Sequence, residues 1–186
     1  MKVWAYLLAS LALGATAVAE EDLGRYLINK ETNGTWFVQP EKPKAKYIKA
    51  EVAGGGAFRI RADKGRNPWD VQANSPIAGA IHAGDVILLN YFARAEQPAE
   101  GGSALTARIQ LAGPPYSSIF EMTSKISGEW KNYCAFRVVT AGIDEKKGTV
   151  SIHLATAKQI IDLGPVFVFN LGPDYDKTKL AGTCDG

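Results

Sequence analysis

The alternation of apolar and polar residues predicts a chain made of short β-strands. The clearest case is residues 84–95, with the sequence GDVILLNYFARA. Because successive side chains of a strand point to opposite faces of its sheet, one face of this strand is apolar and fits a core. The other face carries an amide, an aromatic ring and a guanidinium group in a row, from Asn90, Phe92 and Arg94. Such a row predicts a shallow, polar and aromatic binding surface.

Further strands of this kind follow at intervals of about 8–12 residues, with glycine and proline between them. They are predicted at residues 35–38, 47–52, 58–62, 69–73, 105–111, 120–126, 130–139, 149–156 and 159–171. Residues 22–30 fit either a helical turn or an opening strand, and no longer window has the helical period. The pattern is typical of an all-β protein, an antiparallel two-sheet β-sandwich or barrel.

The beginning of the chain has the pattern of a secretory signal peptide. Lys2 supplies a positive charge, residues 3–13 are almost wholly apolar, and Ala17-Val18-Ala19 resembles a cleavage site. This apolar run is too short for a typical membrane span, and no later run is longer. We therefore predict a signal peptide at residues 1–19, one β-sandwich domain at 20–174 and a polar C-terminal tail at 175–186. Such a protein would be secreted or periplasmic, without a membrane span.

Charge and cysteine content narrow the classes of partner. The 21 Lys and Arg residues are scattered among 19 Asp and Glu residues, so the sequence does not predict binding to nucleic acid. The two cysteines, Cys134 and Cys184, are too few and too far apart for a zinc site. In an exported protein they would form a disulfide that holds the tail against the domain. The alternative for Cys134 is a small, buried, apolar residue.

The sequence carries no motif that is diagnostic of an enzyme. The spacings GxSxG, HExxH and CxxC are absent, and His82 and His153 are the only histidines. The carboxylate pair that cleaves glycosides is defined by a distance in space, which a sequence does not give. A polysaccharide lyase or hydrolase remains an alternative, and Tyr91, Arg94 and His153 are the candidate set for a lyase.

From about residue 58 to residue 172 the order of features resembles carbohydrate-binding modules of the family 4/9-like type. The matching segments are NPWDVQ at 67–72, GDVILLNYFARA at 84–95, RIQLAGPPY at 108–116, GEWKNYCAFRV at 128–138 and SIHLATAKQIIDLGPVFVFNLG at 151–172. The resemblance implies a galactose-binding-like jelly roll of about eight or nine strands that binds sugar on a concave sheet face or at its loops. It also implies a glycan-degrading enzyme as a partner, because such modules are usually attached to one.

The same resemblance implies that a structural calcium ion is often present. In this chain the closing strand reads VFVFN at residues 166–170, where such domains often carry paired acids. We therefore expect no cofactor. For a calcium ion, hard oxygen ligands would have to come from carboxylates such as Glu31 or Asp162.

Sugar recognition combines flat rings that cover the C–H face of a pyranose with planar polar groups that pair its hydroxyls. The residues of these types that we predict to bind the ligand are Trp69, Gln72, Asn90, Phe92, Arg94, Arg108, Gln110, Tyr116 and His153. We expect Trp69, Asn90, Arg94, Gln110 and His153 to share one face. Packing in the core is the alternative for the aromatic residues, and a structural polar network is the alternative for the others. The leading function is non-catalytic carbohydrate binding; a structural or adhesion domain that binds another protein is the alternative from a different class.

Overall fold

Two antiparallel five-stranded sheets make up the part of the chain that the structure describes. The structure is a computed structural model that describes residues 23–30, 34–40, 45–180 and 184. The strands are β1 (Phe37–Gln39), β2 (Ala45–Lys49), β3 (Gly56–Ala62), β4 (Gln72–Ile77), β5 (Val86–Gln97), β6 (Ser103–Leu111), β7 (Ser118–Ile126), β8 (Lys131–Val138), β9 (Gly148–His153) and β10 (Gln159–Asn170). Single-turn 3₁₀ helices lie at Leu23–Tyr26, Ala53–Gly55, Pro68–Asp70 and Lys177–Leu180.

The strand order is β1-β4-β9-β6-β7 in the first sheet and β2-β3-β10-β5-β8 in the second. Neighbouring strands therefore come from distant parts of the chain, as when β4 pairs with β9 and β3 pairs with β10. The predicted all-β, antiparallel two-sheet β-sandwich is confirmed. The predicted signal peptide lies outside the described residues, and no helix among the described residues is long and apolar enough to cross a membrane.

The core lies between the sheets and is filled by every second residue of each strand. On β5 the inward residues Ile87, Leu89 and Tyr91 are fully buried. They belong to one apolar cluster with inward residues of the first sheet such as Ile109 and Ile152. Because each large apolar side chain contributes about 1.5–3 kcal/mol when it is buried, this alternation fixes which face of a strand turns inward.

Trp69 lies outside a strand, so the prediction of a strand at residues 69–73 is wrong at its start. Pro68–Asp70 forms a 3₁₀ turn, and β4 begins only at Gln72. The Asp70 carboxylate accepts hydrogen bonds from the backbone N–H groups of Arg66 and Asn67 at 2.8 and 3.0 Å, and these bonds close the turn. They also lower the pKa of Asp70. The turn leaves the Trp69 side chain 52% exposed.

Segments before β1 and after β10 pack against the second sheet. The buried Asn29 side chain donates to the carbonyl of Val166 and accepts from the N–H of Val168, both at 2.9 Å, beside an irregularity in β10. After β10, Leu180 is buried in a second apolar cluster on the outer side of this sheet. Cys134 of β8 and Cys184 form a disulfide with a Cα–Cα distance of 5.1 Å. Part of the predicted C-terminal tail therefore covers the domain.

Candidate ligand-binding site

A cavity of about 520 Å³ opens over the outward face of the first sheet. Its size lies within the range of small-ligand sites. The residues that line it are Trp69, Gln72, Arg108, Gln110, Pro115, Tyr116 and His153. The structure thus brings together six of the nine residues that the sequence predicts to bind the ligand, and only Pro115 is new.

Three adjacent strands form the floor of the cavity. On each of them the residues that alternate with the floor residues, such as Ala73, Ile109 and Ile152, are buried in the core. The strand register places Gln72 of β4 opposite His153 of β9. Antiparallel pairing therefore turns polar residues from distant parts of the sequence into one surface.

Hydrogen bonds between neighbouring strands hold the Gln72 amide in one orientation. Ser151 Oγ donates to Gln72 Oε1 at 2.9 Å, and Gln72 Nε2 lies 3.2 Å from Gln39 Oε1, to which it donates. Sequence reasoning missed both partners. Ser151 lies two residues before His153 and on the same face of β9, so the alternation that selected His153 also pointed to Ser151.

Two half-exposed aromatic rings stand at opposite ends of the floor. Trp69 contacts the His153 ring edge-on, with 5.9 Å between the ring centroids. Tyr116 is 51% exposed and belongs to the loop that follows β6, on the far side of Gln110. On β6, Thr106 is paired with His153, and Gln110 lies four residues further along the strand. The two ends of the floor are therefore on the order of 13 Å apart along the backbone.

The backbone at Tyr116 has a φ of 58°, a value that is uncommon for a residue other than glycine. A hydrogen bond of 2.9 Å from its N–H to the Gly113 carbonyl closes the turn and holds this conformation. Unusual backbone conformations of this kind are found preferentially at binding and catalytic sites. The loop therefore presents the Tyr116 ring in a defined position.

The floor contains a histidine with a lowered pKa and two buried polar atoms without hydrogen bonds. Burial lowers the pKa of His153, and the nearby Arg108 charge lowers it further, while Glu121 acts in the opposite direction. Arg108 Nε lies 3.2 Å from Glu121 Oε2, but the geometry is not that of a hydrogen bond. Gln110 Oε1 also has no hydrogen-bond partner. Because an unpaired buried group costs about 1–3 kcal/mol, a ligand that supplies a donor and an acceptor gains from both.

Asn90, Phe92 and Arg94 lie on the outer face of the second sheet. The expectation that Asn90 and Arg94 share a face with Trp69, Gln110 and His153 is therefore wrong. The reason is topological: β5 and β6 follow each other in the chain, but β5 pairs with β8 and β10, and β6 pairs with β7 and β9. Contact of these three residues with a ligand stays a prediction, for a surface separate from the cavity.

Arg94 is held by an ion-pair network on that face. Its Nε donates to Asp162 Oδ2 at 2.8 Å, and its Nη2 lies 3.0 Å from Glu96 Oε2. Its guanidinium carbon lies 5.3 Å from the centre of the Trp130 ring. A shallower cavity of about 420 Å³ lies beside them and is lined by Lys49, Ala50, Glu51, Gly55, Arg94 and Trp130. Asn90 Oδ1 is buried without a hydrogen-bond partner, and Phe92 packs beside Gly164 in the irregular part of β10.

The three residues of the candidate lyase set do not come together in the structure. Tyr91 is fully buried in the core, where burial raises the pKa of its hydroxyl. Arg94 and His153 project outward from different sheets. For calcium, Glu31 lies outside the described residues, and the Asp162 carboxylate is bonded to the guanidinium groups of Arg59 and Arg94. Among the described residues, no group of three or more His, Cys, Asp and Glu could hold a metal ion.

Solved structures with this fold include carbohydrate-binding modules. The module CBM4 superposes with a TM-score of 0.56 at 15% identity, over 73% of this chain and 94% of that one. The chain has the jelly-roll fold of carbohydrate-binding modules. The N-terminal cellulose-binding domain of Cellulomonas fimi β-1,4-glucanase C gives a TM-score of 0.53 at 16% identity, over 73% of this chain and 88% of that one.

A larger enzyme contains a similar domain. The arabinose-bound α-L-arabinofuranosidase MgGH51 gives a TM-score of 0.60 at 16% identity, over 83% of this chain but only 28% of the enzyme. No protein-family model matches the sequence, and no curated protein matches it either. At these identities the likeness is one of fold, so the function has to be argued from the cavity itself.

Proposed function

We propose that this protein is a secreted, non-catalytic carbohydrate-binding protein that holds an oligosaccharide or polysaccharide in the cavity over β4, β9 and β6. The observation that carries the proposal is the pair of half-exposed rings, Trp69 and Tyr116, at the two ends of a polar floor. The similar fold of CBM4 and of the cellulose-binding domain supports it. Secretion is supported by the pattern of residues 1–19 and by the disulfide, since disulfides persist mainly in oxidising compartments.

The two rings have the chemistry and the spacing to hold a sugar chain. A flat ring buries the apolar C–H face of a pyranose, and the amides of Gln72 and Gln110 pair with its hydroxyls. A separation on the order of 13 Å between the ends of the floor exceeds one sugar ring, so Trp69 and Tyr116 would hold different units of one chain. The closed turns that carry the rings reduce the entropy lost on binding.

The absence of paired carboxylates from the lining supports a non-catalytic role. Glycoside cleavage generally uses two carboxyl groups on either side of the scissile bond. None of the residues that line the cavity in the described part of the chain is Asp or Glu. Glu121, which pairs with Arg108 at the edge, is a single carboxylate.

The test replaces Trp69 with alanine and measures affinity by isothermal titration against neutral and acidic oligosaccharides. Because a central aromatic residue of a binding site commonly contributes about 2 kcal/mol, we expect Trp69→Ala to weaken binding roughly 30-fold. The free energy of unfolding should fall by only about 1 kcal/mol, since half of the ring is already exposed. Tyr47→Ala is the matched control, because Tyr47 is an exposed aromatic residue on the other sheet.

The outcomes separate the function from the site. Failure of the purified protein to bind any glycan, together with capture of a protein ligand, would contradict the proposed function. Glycan binding that is unchanged in Trp69→Ala and reduced in Tyr47→Ala would place the site on the second sheet instead.

A further inference from the structure

Arg108 is a cation with an incomplete set of partners. Its Nε is buried without a hydrogen bond, and its ion pair is with the Glu121 carboxylate at 3.2 Å. The side chain of Glu121 is 57% exposed, whereas that of Arg108 is 24% exposed. Water screens a solvated carboxylate, so this ion pair holds Arg108 less firmly than a buried pair would.

The rest of the lining adds no negative charge to offset it. Among the lining residues Arg108 carries the one formal charge, because the others are Trp, Gln, Pro, Tyr and a histidine whose pKa is lowered. The Arg108 charge contributes to that lowering, and the Glu121 charge acts against it. Among the described lining residues, the Arg108 guanidinium is therefore the charged group that a ligand would meet.

Gln110 Oε1, an acceptor without a hydrogen bond, belongs to a residue close to Arg108 on β6. Gln110 follows Arg108 by two residues on β6, so both side chains project from the same face with Cα atoms about 7 Å apart. Gln110 Oε1 has no hydrogen-bond donor, and Arg108 Nε has only the Glu121 carboxylate, in a geometry that is not that of a hydrogen bond. Both atoms are buried, so a ligand reaches them only when the two side chains turn toward the cavity. A ligand unit that carries an anionic acceptor and a hydroxyl would then satisfy both.

We propose that the cavity selects an acidic glycan, in which the carboxylate of a uronic acid binds Arg108 and a hydroxyl of the same unit donates to Gln110 Oε1. This inference rests on the proposed function. The planar guanidinium group matches a carboxylate through two parallel hydrogen bonds, and charged hydrogen bonds are about twice as strong as neutral ones. A hydroxyl of a neutral sugar accepts one hydrogen bond from Arg108 but brings no charge to balance the guanidinium group. Arg94 does not offer the same pair of N–H groups to a carboxylate, because its Nε and Nη2 already contact Asp162 and Glu96.

The test compares oligouronates with the same oligosaccharides after reduction of their carboxyl groups to alcohols. Each pair has one chain length and one stereochemistry, and series of glucuronate, galacturonate and mannuronate are titrated calorimetrically into the purified protein. We expect at least one acidic form to bind about 10-fold or more tightly than its reduced form, since a hydrogen bond to a charged group contributes about 1.5–3 kcal/mol. The difference should shrink as salt is raised from about 0.01 to 0.15 M.

Two substitutions test Arg108 from opposite directions. Arg108→Gln should abolish the preference for the acidic form while binding of the reduced form changes little. Glu121→Gln should increase affinity for the acidic form, because it removes the competing carboxylate at the edge of the cavity. Arg61→Gln is the matched control, since Arg61 is an exposed arginine on β3 of the other sheet. The Glu121 variant also keeps the test decisive if Arg108→Gln does not fold.

Equal affinity for every acidic form and its reduced counterpart would overturn this inference and leave the proposed function intact. A loss of both forms to the same degree in Arg108→Gln, with no gain in Glu121→Gln, would also overturn it, because Arg108 would then act only in the structure. Absence of binding to all acidic, reduced and neutral glycans would instead overturn the proposed function itself.

Discussion

Two arginines lie on the outer faces of the two sheets and have very different partners. Arg94 of β5 and Arg108 of β6 each point away from the core, and each lies near a tryptophan, Trp130 or Trp69. Arg94 faces the fully buried carboxylate of Asp162, whereas Arg108 faces an exposed glutamate. The residue on the next strand thus decides whether an outward arginine is paired with a buried carboxylate or with an exposed one.

Ion pairs hold the Arg94 side chain in place on the outer face of the second sheet. The register places Asp162 of β10 between Arg59 and Arg94, so that one carboxylate accepts hydrogen bonds from both guanidinium groups at 2.8–2.9 Å. Glu96 lies 2.9 and 3.0 Å from the same two groups. Four charges therefore balance one another within the second sheet, and little charge is left for a ligand.

The second outer face is also covered by the end of the chain, whereas the first opens into the cavity. Leu180 packs with Val86 and Leu88, and the disulfide joins β8 to residue 184. Such a covering segment stabilises the fold without contributing to the cavity. The difference between a covered face and an open face gives three expectations about stability and binding.

The largest effect is expected when the covering segment is released. Replacement of both cysteines by serine should lower the free energy of unfolding by about 2–4 kcal/mol, since the cross-link closes a loop in the unfolded chain. The sequence separation of 50 residues makes this loop long. Affinity for glycan should not change, because no residue of this segment lines the cavity in the described part of the chain. Urea unfolding and calorimetric titration of the same variant measure the two quantities, and a parallel loss of affinity would show that the two faces are coupled.

A smaller effect is expected when the buried carboxylate is neutralised. Asp162→Asn leaves two partly buried guanidinium groups with Glu96 alone, so we expect a loss of about 2–3 kcal/mol, less than for a fully buried pair because both arginines reach solvent. Glu121→Gln, which neutralises the carboxylate next to Arg108, should change stability by less than about 0.5 kcal/mol. Denaturant unfolding of both variants compares the two arginine sites. Similar losses would mean that Glu121 stabilises the fold as much as Asp162 does.

The alternation of residues predicted the fold class, the faces of the strands and most of the cavity. Arg108 and Gln110, for example, were placed on one outward face by their spacing alone. The pattern does not state which strands share a sheet, and for this reason Arg94 was grouped with them. Its partner Asp162 is 68 residues away in the chain, and the pairing of β5 with β10 is what brings them together.

Local hydrogen bonds explain why the predicted strand at residues 69–73 begins only at Gln72. The apolar and polar alternation at residues 69–73 fits a strand, but Asp70 accepts two backbone hydrogen bonds and Pro68 restricts the backbone, so that a turn forms first. An aspartate three residues after an asparagine, with a proline between them, is a recognisable pattern for a helical turn. That pattern predicts the exposed position of Trp69.

The smallest effect is expected in how the free energy of unfolding depends on pH, through His153 at the floor of the cavity. The folded-state pKa of His153 is lowered, mainly by burial and then by Arg108, relative to an ordinary value of about 6.5 in the unfolded chain. The unfolded state therefore binds more protons in acid, and stability is fully present above about pH 6.5 and declines as the pH falls toward the folded pKa. His153→Gln should flatten this decline, and Arg108→Gln should reduce it, because one cause of the lowered pKa is removed.

Unfolding by urea at several values between about pH 7.5 and 5 measures this slope, with the interval set by the ordinary histidine pKa. His82→Gln is the matched control, because the His82 side chain is 78% exposed and lies away from the cavity. A slope that His153→Gln leaves unchanged would place the titrating group elsewhere. If Arg108→Gln also failed to alter it, the Arg108 charge would not reach the floor. The contrast between Arg94, which is paired with a buried carboxylate, and Arg108, which is paired with an exposed one, would then lose its electrostatic basis.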